Sequence, residues 1–154
     1  MTVWEHERAL ARTTVGWGLG SMAAGLLLAA AQRRRPWWRA FGLQNAGWGA
    51  VDLLVAILAE RLQDRRMLRH PDPYAPAALE AERARFFRVL LVNVVADAGY
   101  VGLGVALARH RPRRAAGAGA AIAIQGVFLL LHDAHYAWRT RLSAGLPGER
   151  VRHA

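Results

Sequence analysis

The charges of this chain are sorted by segment, not by helix face. Of its 21 basic and 11 acidic residues, only Asp52, Asp97 and Asp133 lie within four apolar runs, Thr13 to Ala31, Ala40 to Ala59, Val89 to Ala108 and Ala115 to Trp138. A soluble amphipathic helix instead spreads its charges along one face with a 3.6-residue period. Crossing roughly 30 Å of hydrocarbon takes about 20 apolar residues at a helical rise of 1.5 Å. Each run is of that length. Short alternating strands of the kind that build closed barrels are absent, so helices are the remaining way to span. The pattern predicts an all-α, four-helix transmembrane bundle built from two helical hairpins.

The chain of 154 residues suits a single domain. We place it at residues 1–142, followed by a mobile tail at 143–154 that reads SAGLPGERVRHA. There is no cysteine, which excludes disulfides and thiolate metal sites. The first run is a poor cleaved leader, because Glu5 and Glu7 precede it and Arg33-Arg34-Arg35 follows it.

Local signals mark the connections. Thr2-Val3-Trp4-Glu5 matches a capping box, so a helix is expected to begin before the first span. Its HERALAR stretch should lie at the interface, with Trp4 at headgroup level. His70 to Pro76 contains three prolines and cannot be helical throughout. Helical pattern resumes after Pro76 and runs into the third span.

All 21 basic residues are arginine, and they flank the spans. Such flanks touch anionic lipid headgroups. A nucleic-acid surface would need a basic stripe on a soluble module, which is missing. Eight arginines sit in the two short loops and 13 on the side of the termini, a balance that places the termini inside. A second copy of the chain, or another membrane subunit, stays open as a partner.

Two internal similarities suggest a parallel repeat of the hairpins. Gly18-Leu19-Gly20 matches Gly102-Leu103-Gly104, and Gln44 to Asp52 matches Gln125 to Asp133, with glutamine and aspartate eight positions apart each time. Small residues should bring the helices close. Gly16 and Gly20, Ser21 and Gly25, and Gly42, Gly47 and Gly49 are the candidates for packing inside the bundle.

The polar residues left in the spans point to a site. Counting from the span ends, Asp52 and Asp97 lie roughly 11–12 Å deep, and Asn93, His132 and Asp133 about 6–9 Å deep, in the same half of the bilayer. Asn93 and Asp97 are four apart, and His132 and His135 three apart, so each pair can share a helix face. An ionised carboxylate at a span centre costs roughly 2.5–3.5 kcal/mol and marks a functional site by default. No arginine lies inside the spans to neutralise these acids.

Asp52, Asn93, Asp97, His132 and Asp133 are therefore the candidate residues for binding or translocating a proton, cation or small polar ligand. A metal-dependent enzyme would use His132, His135, Asp52 and Asp97, but H-D-A-H is not the HExxH of the zinc proteases. A lone histidine such as His132 could also hold a haem. Nothing in the sequence requires a cofactor. The bland alternative is a membrane subunit or scaffold whose polar residues only lock helices together.

The combined pattern GWGLG, QNAGWGAVD, NVVADAGYVGLG and AIQGVFLLLHDAHY resembles a group of small bacterial four-span membrane proteins with no assigned activity. The resemblance covers most of residues 13–138 and implies a bacterial inner membrane. It carries over no catalytic residues. Small multidrug transporters share the size but carry a key glutamate in their first span, and this first span has no acid.

Overall fold

The computed structural model describes residues 1–110 and 112–144, which form four helices: α1 (Val3–Ala31), α2 (Pro36–Arg69), α3 (Pro76–Ala108) and α4 (Arg113–Ala144). The expected mobile tail lies, beyond Ala144, outside the described residues. All four helices are long and apolar enough to cross a membrane. Their ends follow from local chemistry. Thr2 accepts from the Glu5 N–H while the Glu5 side chain accepts from the Thr2 N–H, so the capping box forms as expected. Pro36 and Pro76 open α2 and α3, where a missing N–H is harmless. His70, held extended before Pro71, ends α2.

The helices pack as two hairpins, α1 with α2 and α3 with α4, which join mainly through α2 and α4. The arrangement is inverted relative to a soluble bundle. Leu27, Val95 and Leu131 are 72%, 73% and 66% exposed, while Asp52, Asp97 and Asp133 are buried. So much outward apolar surface suits lipid and would aggregate in water.

Glycine sets the helix contacts, but through partly different residues from those the sequence singles out. A Cβ on Gly18 would lie 2.7 Å from the Gly49 carbonyl oxygen, and one on Gly42 would lie 2.5 Å from that of Gly25. Gly25 and Gly49 meet backbone in return, so two reciprocal pairs, seven residues apart on each helix, fix the first hairpin. Gly16, Gly20 and Gly47 have open space instead.

The second hairpin repeats this contact pattern in a register that the sequence similarity missed. Gly25 and Gly42 approach each other as Gly104 and Gly119 do, and Gly49 meets Met22 as Gly126 meets Val101. Corresponding places are thus 79 residues apart from α1 to α3 and 77 apart from α2 to α4. Matching Gln44–Asp52 to Gln125–Asp133 is offset from that register by about one helical turn.

The end bearing the N-terminus is the most conventionally packed part. Trp4 is 1% exposed and sits in an apolar cluster with Val3, Phe86, Leu90, Tyr136 and Ala137. Its indole N–H donates to the Pro73 carbonyl at 2.9 Å, and Gln63 donates to the Trp4 carbonyl at 2.7 Å. Trp4 is therefore a buried anchor for the α2–α3 connection, not the headgroup-level residue expected. Around it, outside the four apolar runs, Glu7 takes Arg66 at 2.5 Å and Arg85 at 2.7 Å. Glu82 takes Arg85 at 2.7 Å and Arg66 at 3.3 Å.

Two carboxyls in this cluster are shifted in opposite directions. Burial pushes Glu7 above the ordinary glutamate value and prevails over Arg66 and Arg85. Burial also opposes ionisation of Glu82, but there the Arg85 hydrogen bond and the Arg85 and Arg66 charges together hold it below the ordinary 4.5. Glu82 thus adds stability that is present above pH 4.5 and lost as the pH falls. Glu7 acts in the opposite sense, since protonation relieves its desolvation. Glu82→Gln should lower thermal stability at neutral pH by about 1.5–3 kcal/mol, the worth of hydrogen bonds to charged groups. Thermal denaturation repeated near pH 4 (approximately) should show the deficit shrinking.

Candidate intramembrane polar site

Three helices each bury one aspartate, and the three lie within electrostatic reach of one another. Asp52 on α2, Asp97 on α3 and Asp133 on α4 are 4%, 4% and 6% exposed. Asp133 acts electrostatically on both Asp52 and Asp97, and Asp52 acts on Asp97. Among the described residues, no arginine is one of the charges acting on Asp52 or Asp97. His132 is the basic neighbour, with Nδ1 3.4 Å from Asp133 Oδ1 and a Coulombic influence on Asp97.

Hydrogen bonding does not account for this group. Among the described residues, Asp52 Oδ2, Asp97 Oδ2, both ring nitrogens of His132 and the indole nitrogen of Trp48 are buried without a hydrogen-bond partner. Buried polar atoms are nearly always satisfied, and exceptions call for a specific cause such as a bound ion or a chemical role. Four polar side chains with orphaned atoms, spread over α2, α3 and α4, make a large exception.

The other expected members lie elsewhere. Asn93 is on the exposed side of α3, although one turn from Asp97. The 40° drift between positions four apart is enough to carry it outward where the helix–helix seam is narrow. His135 is also exposed, against the rings of Tyr136 and Trp138. Among the described residues, no three His, Asp or Glu side chains are grouped closely enough to hold a metal ion, so the set of His132, His135, Asp52 and Asp97 is not assembled. His6 and Glu7 are buried at the N-terminal end, where Glu7 is taken up by Arg66 and Arg85.

A second polar group, deeper along α4, has a different character. Gln125 is 1% exposed; it accepts from the Trp17 indole at 2.6 Å and donates to Asn45 Oδ1 at 2.8 Å and Ser21 Oγ at 3.0 Å. Asn45 in turn donates to the Phe41 carbonyl at 3.2 Å. This network ties α1, α2 and α4 together with its partners matched. Gln125→Met keeps roughly the same volume and strands three groups. It should lower thermal stability by roughly 1–2 kcal/mol, at the upper end of interhelical hydrogen bonds in membranes.

An aromatic ladder joins the two groups. Trp17 stacks on Phe128 at 3.8 Å, Phe128 stacks on His132 at 5.3 Å, and Tyr136 meets His132 edge-on at 5.1 Å. Sequence reasoning named Gln125 and His132 but missed Trp17, Phe128 and Trp48. The spacing of Gln125, Phe128, His132 and Tyr136, at three, four and four residues, was the available signal.

The repeat separates scaffold from site. In the register set by the glycine contacts, Asp97 occupies the place of Gly18, Asp52 that of Leu129, and Asp133 that of Ala56. Gly25, Gly42 and Gly49 have glycine counterparts in Gly104, Gly119 and Gly126, whereas Gly18 is replaced by Asp97 and none of the three acids has an acidic counterpart. Toward the N-terminal end, the apolar cluster of Trp4, Phe86, Leu90 and Tyr136 covers the aspartates, since Leu90 is two turns from Asp97 and Tyr136 one turn from Asp133.

Residues 13–134 match the model of a family of unknown function, DUF6992. No curated protein and no solved structure matches the chain.

Proposed function

We propose, for a chain that belongs to the DUF6992 family of unknown function, that it binds and passes a proton or a small cation through the membrane at Asp52, Asp97, Asp133 and His132. The observation that carries this reading is a trio of buried carboxylates, with no described arginine acting on Asp52 or Asp97 and with Oδ2 of each left unpaired. Intramembrane carboxylates are expensive, and a proton or cation is what neutralises them when no arginine does. His132, with Nδ1 3.4 Å from Asp133 Oδ1, sets an imidazole beside these carboxylates. From His132 the stacked rings of Phe128 and Trp17 lead to Gln125 and its hydrogen bonds. We place the protein in a bacterial inner membrane, on the resemblance noted above.

A scaffold reading draws its support from Gln125, whose hydrogen bonds are complete and cross three helices. The aspartates lack that completeness, and this favours a transported or bound species. The test is flux in liposomes loaded with a pH-sensitive dye, with the membrane potential set by a potassium gradient and valinomycin. Wild-type protein should acidify or alkalinise the lumen, or alternatively admit sodium read by a sodium dye. Asp97→Asn should reduce that flux at least about a hundredfold, the lower end of what a positioned proton-transfer group contributes. Absence of both fluxes from folded wild-type protein, together with thermal stability indifferent to pH and to alkali cations, would overturn the reading.

A further inference from the structure

The end of the bundle opposite the N-terminus carries charge of a different kind. At the N-terminal end acids accompany the arginines, and three arginines are paired, Arg8 with Asp64, Arg66 with Glu7 and Glu82, and Arg85 with Glu7 and Glu82. At the other end the two short loops and their flanks hold eight arginines and no acid at all. Four of them, Arg33, Arg34, Arg39 and Arg114, line one cavity of about 360 Å3 with Ala40 and Leu43. They come from the α1–α2 loop, the first turn of α2 and the first turn of α4, and no described carboxylate pairs with any of them.

Two features give this cavity the shape of an anion receptor. The close approach of Gly117 to the Trp37 carbonyl sets the starts of α2 and α4 side by side. Neither first turn contains an acid, and α2 has no side-chain cap, so the positive end of α2 stays unneutralised. The wall then changes character along α2. Leu43, 47% exposed, continues from Ala40 into the apolar run, while Trp38, 41% exposed, stands at the interface level favoured by tryptophan. A free phosphate would use the arginines and leave the apolar wall without a role.

We propose that this cavity binds the headgroup of an anionic phospholipid, its phosphate held by Arg39 and Arg114 with Arg33 and Arg34, and its upper acyl chain lying on Ala40 and Leu43. Guanidinium groups suit this because their planar donors match phosphate oxygens two at a time. The site is independent of the aspartates, which sit in the other half of the bundle.

Native mass spectrometry of the detergent-purified protein, with equal phosphatidylglycerol and phosphatidylcholine added, tests it. Wild type should retain phosphatidylglycerol over phosphatidylcholine by about tenfold or more. Arg39→Gln/Arg114→Gln should lose that preference. Arg61→Gln/Arg65→Gln, which removes the same charge from exposed residues at the other end, should keep it. Circular dichroism on each variant confirms that all are folded, as surface substitutions should be. Equal loss in both variants would mean bulk charge attraction and would overturn the site. Displacement of phosphatidylglycerol by millimolar inorganic phosphate would equally overturn it, by showing an anion site that takes no account of the acyl chain.

Discussion

A Gly25→Ala variant should fail to assemble the first hairpin, whereas Gly20→Ala, on the same helix, should fold at least as well as wild type. The added methyl at Gly25 would fall on the Gly42 carbonyl and within 2.7 Å of the Ala46 nitrogen, both backbone atoms. Backbone inside a helix cannot turn aside as a side chain can, so α1 and α2 must separate. Separation also loosens Gly42 against Ala29, 2.8 Å in the same measure, and thereby the contact on which the pair depends. Overpacking of a tight core costs typically 1–3 kcal/mol, and we expect about the upper figure or more here. Gly20 has nothing within 4 Å, and there alanine gains up to about 1 kcal/mol of helix propensity. Gel filtration and thermal denaturation in mild detergent compare the two directly. Equal stability of the two variants would refute the close-packed seam.

The same contrast shows what the sequence made legible. Span number, helix ends and hairpin pairing follow from composition, proline positions and a capping box, because each acts over a few residues. Helix-face assignment was harder. Gly16 and Gly20 have the spacing of a packing motif yet face open space, while Gly18 and Gly25, seven apart, make the contact. In an Ala/Gly/Leu-rich span several stripes look equally smooth, and only the partner helix selects one. The repeat suffered likewise: chemically alike residues, Gln with Asp, suggested a register one turn from the one the backbone contacts define. Asp52, Asp97, His132 and Asp133 were reachable because charge in a span is conspicuous. Asn93 was misplaced because a neutral amide carries no such penalty and can face outward. The aromatic ladder escaped notice because tryptophan and phenylalanine blend into an apolar background.

The aspartates differ from the rest of the polar interior in the sign of what their removal should do. If Asp52 and Asp97 were helix-locking groups, asparagine would forfeit an interhelical hydrogen bond at each, about 0.6 kcal/mol apiece, and the double variant would melt lower. If they are held for a proton or cation, their charged form is a burden on the fold, at roughly 2.5–3.5 kcal/mol per ionised group near a span centre. Asparagine keeps the shape and discards the charge, although its amide also needs partners, so only part of that burden is relieved. We therefore expect Asp52→Asn/Asp97→Asn to melt higher than wild type at neutral pH, by roughly 1–3 kcal/mol. The gain should fade under acid, where wild-type carboxyls are themselves protonated, and the flux should vanish at every pH. Gln125→Met supplies the opposite pattern, lower stability with flux retained, because its network is already complete. A double variant that melts lower than wild type and leaves flux intact would assign the aspartates to the scaffold. The expected result, a more stable protein without transport, would mean that the fold tolerates those two acids for the species they carry.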